Sequence, residues 1–334
     1  MKILVTGIAG FLGSHVAERL IQQGHSVSGI DNLVGGYQDN VPKEAVFFDM
    51  DLLDYNKLEA VFNDQEIVIH TACTAYEGLS VFSPAYVSAN TFQITLNALS
   101  WAIRSNAKKF VFLSSMARYG AQENLPFTED MKPKPQDPYG ISKYAAELAV
   151  KNLCETHNLD YTILVPHNII GPRQKYDDPY RNVASIMINR MLQGKQPIIY
   201  GDGEQQRCFS FINDVVDPLV RSCFDSAASK KVINVGPDEE SVTINQLAGI
   251  LAELLSFKLE PIYFPDRPQE VKIATCSADL ARNVLGYSTS TDLKTGLSEL
   301  VNWIKLKGPK PFIYHLPLEI VSQHTPRTWV EKVI

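Results

Sequence analysis

Cysteine is scarce in this chain and scattered: Cys73, Cys154, Cys208, Cys223 and Cys276 among 334 residues, an odd number with no CxxC pair. That excludes a disulfide framework and a cysteine-built metal centre, so no metal is expected, and the thiols read as reduced ones of a cytoplasmic protein. No run approaches the roughly 18 consecutive apolar residues of a membrane span, and the first residues already read as a strand rather than a leader. Positive charge is also short, 31 Lys and Arg against 37 Asp and Glu, for a net charge of -6. A nucleic acid or a membrane surface is therefore not an expected partner, although a local basic cluster can still hold a diphosphate. Internal repeats and low-complexity tracts are absent too, which excludes solenoids and long linkers. What remains is a chain with 45% apolar residues, enough to bury a large core.

The most informative stretch is near the start. Lys2–Thr6 is an apolar, β-branched run of the kind buried on both faces of a parallel sheet. Gly7-Ile8-Ala9-Gly10-Phe11-Leu12-Gly13 follows at once, and His15–Gln23 then has apolar residues at helical spacing and stops at Gly24. Between a strand and a helix, the glycines at positions 7, 10 and 13 permit a tight turn, close approach of a pyrophosphate, and close helix packing. The spacing is GxxGxxG rather than GxGxxG, and a tight turn without ligand would need the same residues. Ser26–Ile30 reads as the second strand and ends in Asp31, about 20 residues past the glycines, where a carboxylate meets the adenosine ribose hydroxyls and repels a 2′-phosphate. NAD is thus expected over NADP.

Further strands are expected at Val46–Leu52, Ile67–His70, Phe110–Ser114 and Tyr161–Val165, with helices between them and Val232–Val235 returning to the sheet. The alternation predicts a Rossmann-like, doubly wound α/β parallel sheet with its ligand at the strand C-terminal ends, plus a smaller, discontinuous C-terminal substrate lobe. The expected division is 1–170 with 209–236 for the NAD-binding domain, 171–208 and 237–306 for the lobe, and 307–334 for an extension. Helices are predicted at Pro138–Glu155, Val183–Leu192 and Ser241–Leu255, the last with Thr243 as a candidate N-cap.

Tyr139 and Lys143 are four residues apart in the first of these helices, so they share a face. A tyrosine titrating near 10 is no base at neutral pH. An adjacent ammonium and an oxidised nicotinamide both favour the phenolate, so its pKa is expected to fall toward the working range. The plainer reading of YxxxK is a core tyrosine beside a solvated lysine.

Taken together, the glycine motif, Asp31-Asn32, Asp51, His70-Thr71-Ala72, Asn90, Ser114-Ser115-Met116-Ala117-Arg118-Tyr119-Gly120, Tyr139/Lys143, Asn168-Ile-Ile-Gly-Pro-Arg173, Gly201-Asp-Gly203, Arg207, Asp214 and Arg267-Pro-Gln-Glu270 resemble the extended short-chain dehydrogenase/reductase family. Within it the likeness is to nucleotide-sugar epimerases and dehydratases, such as the UDP-glucose (UDP-galactose) 4-epimerases, over nearly the whole length. The resemblance implies that Ser115, Tyr139 and Lys143 are catalytic. Ser115 would share a hydrogen bond with the substrate hydroxyl and Tyr139, and Lys143 would also hold the nicotinamide ribose. It further implies NAD contacts at Gly7, Gly10, Phe11, Leu12 and Gly13, at Asp31, Asn32, Asp51 and Leu52, and at Thr71, Ala72, Asn90, Ser114 and Pro166. Ser115, Met116, Tyr139, Asn168, Arg207, Arg267 and Glu270 would meet the nucleotide-diphosphate sugar. A homodimer through the helix near Asn90–Arg104 and the helix starting at Tyr139 is implied as well.

In family members that dehydrate or decarboxylate, acids stand just after the catalytic Ser or Thr. Here Met116 and Ala117 stand there and exchange no proton. The expected reaction is therefore epimerisation at C4 through a transient 4-keto sugar. Alternatives are related 4-keto chemistry (a 3,5-epimerase or 4,6-dehydratase) and, from another class, a non-catalytic NAD(H)-binding regulator. His167 is either a second acid/base or a neutral histidine bonded to backbone, and Arg118 either binds a sugar carboxylate or is solvated. In the tail, Phe312, Tyr314, Leu316, Leu318 and Ile320 alternate with mixed residues, so an extended segment should lay one apolar side in a groove of the body or of a partner subunit.

Overall fold

The structure, a computed structural model, describes all 334 residues. Seven strands form its central sheet: β1 (Lys2–Thr6), β2 (Ser26–Asp31), β3 (Val46–Asp49), β4 (Ile67–His70), β5 (Lys109–Leu113), β6 (Asp160–Pro166) and β7 (Val232–Val235). All pair in parallel, in the order β7-β6-β5-β4-β1-β2-β3. The chain starts in the middle, works outward to one edge and then crosses to the other side of β1. Such a reversal leaves a crevice beyond the strand C-terminal ends, between β1 and β4.

The helices that matter for the site are α1 (Phe11–Gln22), α2 (Ile94–Arg104), α3 (Pro138–Thr156), α4 (Val183–Leu192), α5 (Ile212–Ser222), α6 (Ile244–Leu255) and α7 (Leu293–Lys307). One apolar cluster of 46 buried residues runs from Ile3 and Val5 on one face of the sheet through Val215 of α5 to Met187, Leu247 and Leu300 of α4, α6 and α7. A second, of 20 residues, covers the other face with Leu99 of α2 and Val150 of α3.

Several boundaries differ from the expected ones, each for a local reason. α1 begins at Phe11, not His15, because Gly10 serves as its N-cap and Gly13 lies within the first turn. Strand β3 stops at Asp49 instead of Leu52, since it is the sheet edge with a neighbour on one side only. α6 starts after Thr243, whose hydroxyl accepts from the Gln246 N–H while the Gln246 side chain accepts from the Thr243 N–H. That reciprocal cap fixes the start, and Val242–Thr243 pair antiparallel to Gln206–Arg207. Before α2, Ala89–Gln93 form a π turn that places the Asn90 carbonyl where it accepts from the Thr74 N–H at 3.0 Å. No helix is long and apolar enough to cross a membrane.

Candidate active site

The turn after β1 is built so that only glycine fits. Gly7 has φ +75°, and a Cβ there would lie 2.9 Å from the Ala72 backbone; a Cβ on Gly13 would lie 2.2 Å from the Gly7 carbonyl oxygen. With no side chain on Gly10 to cap it and no acid in its first turn, α1 leaves the N–H groups of Phe11, Leu12 and Gly13 without an acceptor in the protein. Those donors, and the positive end of the helix dipole, face a cavity of about 480 Å³ and fit a diphosphate. Asp31 lines the same cavity, and its carboxylate accepts from the N–H groups of Ala9 (3.0 Å) and Leu33 (2.8 Å). Asn32 donates to Asp51 at 3.0 Å, and Asp51 also accepts from Leu53. A dinucleotide fits these residues: orphaned donors for its pyrophosphate and carboxylates for a ribose.

Beneath the crevice a buried chain of hydrogen bonds sets the strand ends. Thr95 donates to the Thr91 carbonyl, so its oxygen accepts from His70 Nε2–H; His70 Nδ1 then accepts from the Thr6 hydroxyl, which accepts from the Ala72 N–H. Burial pushes His70 down to about 3, which keeps it neutral, as that relay requires. Thr71 donates to the Thr6 carbonyl at 2.6 Å, locking the segment after β4 against the glycine turn.

At the end of β5 the chain divides its serines. Ser114 donates to Glu147, whose carboxylate also lies 2.8 Å from Arg118 Nε; the arginine stacks on the Tyr119 ring at 4.7 Å. Arg118 and Glu147 are both buried. Arg118 is thus neither solvated nor open to a sugar carboxylate, and the Ser114 hydroxyl is spent on Glu147 although Ser114 lines the cavity. Ser115 caps the turn Met116–Arg118, its oxygen accepting from the Ala117 N–H at 3.2 Å, and faces the Tyr139 phenol. Tyr139 and Lys143 reach the cavity because Asp137 accepts from Gly140 N–H at 2.9 Å with Pro138 in the first turn, a strong start signal for α3. Gly140 lets α3 approach the Ser115 turn, since a Cβ would stand 2.6 Å from the Ala117 oxygen.

The electrostatics of the pair differ from the expected ones. Lys143 donates to the Leu113 carbonyl at 2.7 Å, and its ammonium is 5.9 Å from the Tyr139 ring centre. Burial, then Cys73 and Glu77, push Tyr139 well above its usual value; the Ser115 hydroxyl and Arg181 pull the other way. Arg181 thus joins Lys143 as a cation near the phenol.

Across the cavity, Arg267 forms a bidentate pair with Glu270 (3.2 and 3.0 Å), and Arg207 lies 3.7 Å from the same carboxylate. Asn168, with φ +40°, donates to the Cys208 carbonyl at 3.0 Å and lines the wall between. His167 is not in the wall. It is buried, with Nε2 on the Pro237 carbonyl and Nδ1 3.0 Å from Cys276 Sγ, and burial pushes it down to about 4. The backbone-bonded neutral histidine is the reading the geometry supports.

Apart from His167 and Arg118, every residue singled out from the sequence for cofactor, substrate or catalysis borders this one cavity. Sequence reasoning missed Glu77, Arg181, Tyr76 and Tyr200, which border it too. They stand outside any motif; for Glu77 and Arg181 the only signal was charge after a strand or before a predicted helix start, and for Tyr76 and Tyr200 there was none.

Comparison with known proteins gives consistent results. A putative UDP-glucose 4-epimerase of Methanocaldococcus jannaschii is 35% identical over 91% of this chain and 98% of its own length. Among solved structures, UDP-glucose 4-epimerase of Thermotoga maritima with UDP-glucose superposes with a TM-score of 0.85 at 33% identity, over 92% of this chain and 99% of the other. The UDP-glucose 4-epimerase of Thermus thermophilus in complex with NAD gives 0.85 at 30% identity, over 91% and 99%. Residues 3–236, from β1 through the end of β7, match the profile of the NAD dependent epimerase/dehydratase family, and the chain belongs to that family.

Proposed function

We propose that this protein interconverts nucleotide-diphosphate sugars, UDP-hexoses first among them, that are epimeric at C4. The observation that carries this reading is the placement of Tyr139, with Ser115 facing it, in the one cavity that also holds the α1 N-terminus and the Arg207/Arg267 pair. NAD, when bound, supplies a reversible two-electron acceptor. The free N–H groups of α1 and the carboxylates of Asp31 and Asp51 would hold it, with buried Lys143 available to its nicotinamide ribose. Arg207 and Arg267 hold the sugar diphosphate, with Glu270 and Asn168 toward the nucleoside. Tyr139 Oη removes the proton from the sugar O4 and later returns it, while the Ser115 hydroxyl orients that oxygen. Met116 and Ala117, beside Ser115, have no proton to exchange, which favours C4 epimerisation over 4,6-dehydration or decarboxylation. A panel of UDP-, GDP- and dTDP-sugars with product identification tests the reading: a C4 epimer of one panel member supports it, and no conversion of any contradicts it.

The active form is a homodimer joined through α2 and α3 of each subunit. These helices pack side by side, and α3 presents Ile141 and Leu148, 52% and 50% exposed and two turns apart, on one outer face. Ile141→Glu with Leu148→Glu is expected to give a folded monomer by light scattering. A wild-type protein that is monomeric at micromolar concentration with full activity would contradict the dimer.

A further inference from the structure

Five carboxylates border the cavity: Asp31, Asp51, Glu77, Asp137 and Glu270. Four of them are engaged. Asp31 and Asp51 accept from backbone N–H groups, Asp137 caps α3 and accepts from Ser80, and Glu270 is clamped by two arginines. Glu77 has neither a hydrogen bond to its carboxylate nor an ion pair; only its main-chain carbonyl is used, by Ser80. The Glu77 side chain opens into the cavity from the first turn of the short helix Glu77–Ser80. Tyr139 and Asp137 face it from α3 and its cap, and Arg207, Arg267 and Glu270 from the opposite wall. Burial and then Asp137 push its carboxyl up to about 7, against the pull of Arg207 and Arg267. A carboxyl raised toward neutrality and open to the cavity is able both to take a proton and to return one.

Epimerisation at C4 has no need of such a group, because the proton that Tyr139 takes from O4 is the one it gives back. A carbonyl at C4, however, acidifies the C–H bonds at C3 and C5. We propose that Glu77 is a second acid/base of this site, removing and returning the proton on a sugar carbon adjacent to C4 while C4 is a carbonyl. This rests on the 4-keto reading given above. In the forward step a Glu77 oxygen takes the proton, the C–H electron pair becomes a carbon–carbon double bond, and the carbonyl π pair moves onto O4. There the Ser115 and Tyr139 hydroxyls donate to it. In reverse the pair returns to carbon, which takes a proton from Glu77, and nothing is oxidised or reduced. Because Glu77 is open to cavity water, the returned proton has exchanged with solvent. The group comes from the short helix after β4, not from the turn after Ser115, and buried His167 has no part in it.

The test is turnover in D₂O of the UDP-sugar that the panel shows to be epimerised, followed by NMR. Deuterium at C3 or C5, with exchange slowed about 10²-fold or more in Glu77→Gln, is the expected result; melting temperature and retained NAD check that the variant is folded. C4 epimerisation by the wild type without deuterium at C3 or C5 overturns the proposal alone, and needs no variant. Exchange at the wild-type rate in Glu77→Gln also overturns it. Neither epimer nor exchange overturns the 4-keto reading together with it.

Discussion

Tyr139→Phe is expected to lower turnover by about 10²–10⁴-fold, the range that a positioned acid/base supplies, while the protein still retains NAD and binds the sugar nucleotide. The phenyl ring keeps the packing of a side chain that is 4% exposed, so the loss is chemical and not structural. The pH dependence gives a second readout. Burial holds the phenol above its usual value, so the reactive phenolate is a minor form of the free protein at neutral pH, and kcat/KM should climb as pH rises. In Tyr139→Phe that climb should vanish. Near-normal turnover, or an unchanged pH profile, would remove Tyr139 from the mechanism.

The second large effect is expected from the tail. Residues 308–334 lie on the body of the same chain. Lys310 exchanges hydrogen bonds with Asn189, Ile313 donates to the Asp177 carbonyl, Glu319 accepts from the N–H groups of Ala85 and Tyr86, and Arg190 donates to the Val333 carbonyl. Trp329, 2% exposed, packs edge-on against Phe82 and Tyr180, with ring centres 6.0 and 5.4 Å apart. Alternation along the segment holds from Phe312 through Leu318 and then breaks: Ile320, assigned to the apolar side, is 47% exposed. The groove it fills is walled by Tyr76, Leu79 and Tyr180, next to Glu77 and Arg181. Ile334 itself borders the cavity. Trp329→Ala removes a buried aromatic, a change worth about 3–5 kcal/mol in a core, and here that loss falls on docking of the tail. Deleting residues 309–334 should therefore lower the melting temperature, expose the aromatic cluster and raise KM for the sugar nucleotide, with NAD retention little changed. A deletion variant with unchanged melting temperature and KM would show the segment to be passive.

The cofactor half of this site was legible because its chemistry is written locally. A strand, three glycines and a helix in one short stretch, then an acid at the next strand end, constrain one another through backbone sterics alone. The same holds for the helix read from Pro138 onward, which fixes the face that carries Tyr139 and Lys143. What was not legible depends on pairings between distant segments. Arg118 looks like any loop arginine until α3 brings Glu147 to it, and His167 looks like a candidate base until Cys276 and the Pro237 carbonyl take both its nitrogens. Lys143 is in the expected place, but the Leu113 carbonyl competes for its ammonium, a partner that no spacing rule names. Glu77 was overlooked for the converse reason: what distinguishes it is having no partner, and a sequence does not show a missing contact.

The central claim is that C4 is oxidised and reduced within the site while its hydrogen never reaches solvent. A UDP-sugar carrying deuterium at C4, turned over to equilibrium in ordinary water and examined by NMR, tests it directly. The account predicts that both epimers retain the label at C4, whatever happens at C3 and C5. Loss of the C4 deuterium to water at the rate of epimerisation would mean that the carbon is deprotonated instead, and would contradict it.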